Sequence, residues 1–163
     1  MIEIIKGNLL DAKEKYICHQ TNSTSKNASG LAHYLFERYP YANFYKNRPC
    51  PYVATGQDLP GHCIIKGDGI KDRLIIGAMG QYYPGAPHEN SLIDSSKVRE
   101  GYFNRCLVEI THMENVESIA FPLRIGCGIA KGNWDNYLRA LEAFAIGIKN
   151  EQGARVVIYD PTP

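Results

Sequence analysis

Short β-branched runs alternating with amphipathic stretches place this chain in the α/β class, with a central, mostly parallel sheet covered on both sides by helices. Three observations carry that reading. Ile2–Lys6, Tyr16–Gln20, Leu74–Met79 and Val156–Tyr159 are short, apolar and rich in β-branched residues, as buried strands are. Val98, Tyr102, Cys106 and Ile110 recur at four-residue intervals, with Leu107 widening the stripe, as in a helix that packs one face. The segment SIAFPLRIGCGIAKGNWDNY, residues 118–137, passes from a strand through a glycine-rich turn into a helix, the order of a βα unit.

Taken in order, Ile2–Lys6 alternates and closes on Gly7-Asn8. Tyr16–Gln20 (YICHQ) is the second strand, and a loop of small polar residues, Thr21–Gly30, carries it into a helix. In that helix Leu31, Leu35 and Phe36 are expected to share a face, and Pro40 ends it or starts the next turn. Tyr41–Gln57, punctuated by Pro49 and Pro51, reads as a short helix and then a coil on the surface. His62–Lys66 and Leu74–Met79 are strands on either side of the turn signal GDGIKD. Gln81–Asn90 (QYYPGAPHEN) is a second long loop, followed by a helix from about Asp94, read as its N-cap, to about Met113. Ile119, Ala120 and Phe121 form the next strand. A helix begins near Asn133, and over Trp134–Lys149 it is expected to bury Trp134, Leu138, Leu141, Ala145 and Ile148; Asp135 and Glu142 fall on its solvated face. Val156–Tyr159 is the last strand, and no internal repeat or low-complexity segment interrupts the chain.

A chain of 163 residues accommodates one domain with a real core, so residues 1–163 are read as a single domain. Net charge is +1 and no block of like charges occurs, which gives no electrostatic footprint for a nucleic-acid backbone. No apolar run reaches membrane-spanning length, and MIEIIKGN lacks the layout of a signal peptide. The expectation is an intracellular, cytoplasmic monomer. Cys18, Cys50, Cys63, Cys106 and Cys127 are odd in number and form no C-x-x-C pair, so they read as reduced thiols. Neither a metal site nor a cofactor is expected.

Gly126, Gly128 and Gly132 lie between a strand and a helix, where backbone N–H groups can meet an anion; a plain tight turn is the other reading. The loops around residues 21–30, 81–90 and 124–132 all leave strands expected in the middle of the sheet, so they should meet in one crevice. His19 could serve there as a general acid or base, or be a buried histidine sharing a face with Ile17. Asn22 could orient a water or hydroxyl through its amide, or cap its own loop. Arg124 and Lys131 could neutralise a phosphate, and Lys26 could cover a ligand, or all three could be surface charges. Gln81, Tyr82 and Tyr83 could line a sugar pocket or pack the loop. Cys127 would be acidified if it faced backbone amides, and otherwise fills a small packing space.

GNLLDA near the start, HQTN followed by SGLAHYLFERYP, GQYYPG, AFPLRIGCGIAKGNW and a closing VVIYD come in the order seen in macrodomains. The chain resembles most the branch of small ADP-ribose-1″-phosphate phosphatases and terminal ADP-ribose hydrolases, over nearly its whole length. The resemblance implies a three-layer α/β/α sandwich with a mixed, mostly parallel sheet and an ADP-ribose crevice. It implies that Asn8 and Leu9 contact adenine with Tyr159 beside it, and that Asn22 meets the distal ribose. Ser29, Gly30, Leu31 and Ala32 would form one phosphate loop, and Gly126, Cys127, Gly128, Ile129 and Ala130 the other. His19 matches a histidine of the phosphatase members. The resemblance thus implies hydrolysis at the distal ribose, with removal of a 1″-phosphate assisted by His19 and Asn22. It equally admits a module that only binds ADP-ribose, or a hydrolase that frees ADP-ribose from protein or nucleic acid. Three departures stand out: Asn8 replaces an acidic residue, the loop STSKNASGLA has one glycine, and the lysine–aspartate pair of the protein-directed hydrolases is replaced by Ala130 and the GAMGQ stretch at 77–81.

Overall fold

The computed structural model describes residues 2–49 and 53–163; Cys50 and Pro51, both singled out in the sequence, lie outside the described residues. Six strands form one sheet: β1 (Ile2–Lys6), β2 (Tyr16–Asn22), β3 (Cys63–Lys66), β4 (Leu74–Gln81), β5 (Ser118–Pro122) and β6 (Arg155–Asp160). Their order is β1-β6-β5-β2-β4-β3, parallel throughout except for β3, which runs antiparallel to β4 at the edge. The mixed, mostly parallel sheet expected from the sequence is the sheet observed.

Alternation along the strands sorts side chains to the two faces. On one face Ile17, Ile75, Ala120 and Val157 pack beneath α1 (Gly30–Arg38), which contributes Ala32, Leu35 and Phe36. On the other, Cys18, Ile76, Ile119, Phe121, Val156 and Ile158 are covered by α2 (Ser96–Thr111) and α3 (Trp134–Gln152). The sheet is buried on both sides, which is why its strands read as apolar runs rather than polar–apolar alternation. The result is a three-layer α/β/α sandwich.

Differences from the sequence reading fall at element ends. β2 and β4 run on to Asn22 and Gln81, because their polar and glycine-containing tails pair with each other although they break the apolar signal. A register shift separates Thr21 from Asn22, at the mouth of the sheet. Leu31 is exposed rather than on the buried face of α1. The cap of α2 is Ser95, whose side chain accepts from the Val98 N–H; Asp94 is drawn inward by a charge described below, and the helix stops at Thr111. α3 extends to Gln152 and ends on Gly153 in the left-handed region at φ 70°. Its buried residues include Tyr137 and Phe144, whereas Trp134 and Leu138 are only half-buried. The segment read as a surface coil instead makes three short 3-10 turns (Pro40–Ala42, Tyr45–Asn47 and Gly56–Asp58) and buries Ala42, Tyr45 and Arg48. Phe44 and Tyr45 pack edge-on against Phe36, which draws this segment onto α1. Cys18, Cys63, Cys106 and Cys127 are free, and among the described residues no helix is long and apolar enough to cross a membrane.

Ile119 is fully buried in the centre of β5, where it packs beneath α2 and α3. Ile119→Ala should therefore cost about 2–5 kcal/mol, read as a lowered urea midpoint with an unchanged slope.

Candidate functional site

The three loops expected to converge do so. A cavity of about 360 Å³ opens where β2, β4 and β5 end, walled by Gln20, Thr21 and Asn22, by Ser29–Ala32, by Gln81, Pro84 and Gly85, and by the 122–130 segment. Tyr45, from the turn packed on α1, also lines it.

Two walls present bare backbone N–H groups. Ser29 is the extended N-cap of α1, and its side chain makes no capping bond; the first N–H groups of the helix therefore start at the cleft without intrahelical partners. The single glycine of this loop, Gly30, is the residue that needs a left-handed backbone, at φ 58°. A Cβ there would stand 3.0 Å from Ile129 Cδ1, so this loop and the glycine loop opposite approach closely. In the glycine loop, Cys127 N–H donates to the Arg124 carbonyl, Lys131 N–H to Gly128 and Gly132 N–H to Gly126. The N–H groups of Gly126, Gly128, Ile129 and Ala130 are left without a hydrogen-bond partner among the described residues. Such N–H groups at a cleft attract an anion.

Side chains hold the walls in place. Asp94, fully buried, accepts from the N–H groups of Tyr82 (2.9 Å) and Tyr83 (3.3 Å) and from Arg99 Nε and Nη2. Arg99 in turn donates to the carbonyls of Tyr83, Gly85, Ala86 and Ala130, tying the 82–86 wall to the glycine loop. Arg48 does the same for the loop after β2, donating to the Asn22 carbonyl at 2.7 Å and the Ser25 carbonyl at 2.9 Å. Across the floor, Gln20 Nε2 donates to Gln81 Oε1, and Gln81 Nε2 donates to the Tyr83 carbonyl. A carbonyl can only accept, so it fixes which way both amides face.

Asn22 is at the cleft, but its Oδ1 accepts from Thr24 N–H (3.1 Å) and Ser25 N–H (2.8 Å). Its amide nitrogen remains to donate to a ligand. Its backbone N–H donates to the Tyr45 hydroxyl, whose pKa burial pushes up to about 12.

His19 is corrected. It lies beneath α1, edge-on to Phe36, 1% exposed and outside the cleft walls, and neither ring nitrogen has a partner among the described residues. Burial holds the imidazole down to about 3, so at neutral pH it is an uncharged packing group rather than a proton-transfer group. Period-2 alternation puts it on the same face as Ile17, and that is the face α1 covers. Cys127 is also corrected: its thiol donates to the Ile125 carbonyl, does not line the cleft, and is pushed up to about 11 by burial. Asn8, Leu9 and Tyr159 are not among the residues that line this cavity. Asn8 caps the Leu9–Asp11 turn through the Leu10 N–H, Leu9 is buried, and Tyr159 donates its hydroxyl to Glu14 Oε1 at 2.8 Å. Tyr159 nevertheless pairs with Pro122, which does line the cleft. Arg124 lines the cleft, whereas Lys26, Lys131, Tyr82 and Tyr83 do not; the two tyrosine rings pack on each other.

The sequence reading gave Arg99, Arg48 and Tyr45 no part in the site and gave Asp94 the role of helix cap, whereas Pro84 and Gly85 fall in the 81–90 loop that it placed at the crevice. For Arg99 a signal existed, since it precedes Phe103 by four and Cys106 by seven and so falls on the buried stripe of α2.

Gly126 sits at φ 74° with Tyr137 Cε1 2.8 Å from the position of a Cβ, whereas Gly128 has nothing within 4 Å. Gly126→Ala should lose about 2 kcal/mol or more in urea unfolding, while Gly128→Ala should stay within about 1 kcal/mol of the parent. His19 gives a pH signature. Below about pH 6.5 the unfolded chain takes up a proton that the folded chain refuses until about pH 3, so stability falls as pH drops through that window. The slope is at most about 1.4 kcal/mol per pH unit. His19→Leu should remove that one-proton dependence from urea midpoints measured between pH 4 and 8.

Set against protein-family models the chain matches none, and set against curated proteins it matches none. Among solved structures it is similar to the macrodomain of Mycobacterium tuberculosis DarG, with 21% identity, 99% of each chain covered and a TM-score of 0.74. It is similar to the macrodomain of Thermus aquaticus DarG at 19% identity, 99% of each chain and a TM-score of 0.69. The Trypanosoma brucei macrodomain solved in complex with ADP matches at 13% identity and a TM-score of 0.64, over 99% of this chain and 64% of that one. The fold of this chain is the macrodomain fold.

Proposed function

We propose that this chain is a binding module for ADP-ribose or a close derivative. The observation that carries the reading is the pair of facing walls, residues 29–32 and 126–130, that turn bare N–H groups to one cavity. A diphosphate is the ligand group that uses such an array most fully, because its oxygens accept and never donate. The ADP held by the Trypanosoma brucei macrodomain supports the same assignment. Asn22 and Gln81 supply amide groups for the distal ribose, and Arg124 supplies a cation at the rim.

Binding is favoured over hydrolysis by what the walls are made of. The lining residues include no carboxylate, imidazole, thiol or amine, and Arg124 is the one formal charge among them. His19 is beneath α1, and the Asn22 carbonyl oxygen is already occupied by two N–H groups. Removal of a 1″-phosphate, or of ADP-ribose from protein or nucleic acid, is the second reading. It would rest on the N–H array stabilising developing charge while the substrate's own groups manage the proton.

Calorimetry with ADP-ribose should give micromolar binding, about −7 to −8 kcal/mol, weakened at least tenfold in Gly126→Ala. ADP-ribose-1″-phosphate should bind without releasing phosphate. Saturating ADP-ribose that evolves no heat and leaves the amide NMR signals of residues 28–32 and 126–132 unmoved would overturn the assignment. Phosphate release abolished by Asn22→Ala would replace it with the hydrolase.

A further inference from the structure

A second cavity, of about 320 Å³, opens between the Pro40–Ala42 and Tyr45–Asn47 turns, the Gly56–Asp58 turn and the edge strand β3. Its size is at the lower end of small-molecule sites, and the first cavity shares none of its lining residues. Three cations line it, Lys46, Arg48 and Lys66, against one carboxylate, Asp58. Asp58 is taken by Arg48, with Oδ1 3.2 Å from Nη2. Lys46 and Lys66 have no acidic partner among the described residues. In a chain whose formal net charge is only +1, an excess of two positive charges around one hollow is a local concentration rather than a general property of the surface.

Arg48 adds an independent observation. Its guanidinium is 2% exposed and satisfied at Nη1 and Nη2 by the Ser25 and Asn22 carbonyls, yet its Nε has no partner among the described residues. Its charge, set in the wall rather than exposed, adds to the field of Lys46 and Lys66 in the hollow. The remaining lining is amide and aromatic: Asn43, Asn47 and Gln57 beside Tyr41, whose ring is fixed by its hydroxyl donating to the Arg73 carbonyl at 2.6 Å. Donors and cations in excess of acceptors describe an anion site, and a flat apolar wall suits a ligand that carries a ring.

We infer that this cavity is a second anion site, taking a small phosphate ester whose phosphate is held by Lys46 and Lys66, with the buried Arg48 guanidinium adding to the field from the wall. The inference stands apart from the reading of the first cleft. The ester could come from a free nucleotide or from a nucleic-acid terminus, and the shared phosphate chemistry is what the site recognises.

The test is amide NMR on the whole chain, titrated in turn with inorganic phosphate, AMP and a short single-stranded oligonucleotide bearing a 5′-phosphate. Saturable shifts at residues 43–47, 57–58 and 64–66 are expected, with AMP at least tenfold tighter than inorganic phosphate. Lys46→Met/Lys66→Met should weaken AMP at least tenfold at those signals while ADP-ribose calorimetry stays as in the parent. Oligonucleotide binding tighter than AMP at the same signals, and lost in the same variant, supports the site and names its source. Unmoved or non-saturating signals would overturn the inference, as would shifts that persist in the double variant. Because residues 28–32 and 126–132 report the first cleft separately, failure there and failure here are told apart.

Discussion

The buried pair Asp94–Arg99 is the constraint on which the shape of the cleft depends. Both side chains are almost entirely out of water, and between them they satisfy two N–H groups and four carbonyls of the loops around the cavity. A buried ion pair of this kind adds little net stability, because desolvation offsets the attraction, but removing one partner strands the other at a cost of about 3–5 kcal/mol. Its effect is on conformation. None of residues 82–86 belongs to the apolar core, and the fan of bonds from one guanidinium specifies a single path for the loop. Reaching the Ala130 carbonyl, the same group sets that wall against the glycine loop.

How much of this was legible follows from where each feature gets its energy. Strands buried on both faces announce themselves as apolar runs, so the sheet and its covering helices could be read directly. Strand ends could not, because Asn22 and Gln81 pair as polar residues after the apolar signal has stopped. The loops of the cleft were legible as loops, and the left-handed turns at Gly30 and Gly126 gave their positions away through residue type. His19 was ambiguous only in role: its alternation with Ile17 was visible, but which face α1 would cover was not. Arg99 was hidden by its chemistry, since a charge on an apolar stripe is read as a boundary of the stripe until its buried counterion is known. Asp94 was visible and assigned to the helix cap, a task that Ser95 performs.

The walls are held by three separate devices, and that separation matters for binding. Arg48 fixes the loop after β2, Arg99 fixes the loop after β4, and the Gln20–Gln81–Tyr83 relay spans the floor between them. A ligand entering such a site does not have to order the backbone that greets it, so less of its interaction free energy is lost to conformational entropy. Gly80 belongs to the same design: a Cβ there would stand 2.5 Å from Gln20 Oε1, so the relay can cross β4 only where the side chain is absent.

The electrostatics of the cleft are made almost wholly from fixed dipoles. Backbone N–H groups do not titrate, amide side chains do not titrate, and Tyr45, pushed up to about 12, stays neutral across the physiological range. Arg124 supplies the one formal charge among the lining residues. The field in the cavity is therefore set by oriented N–H and amide dipoles together with one guanidinium. His19 is sealed beneath α1, where it packs as an uncharged ring, and the Asp94–Arg99 pair is buried behind the walls.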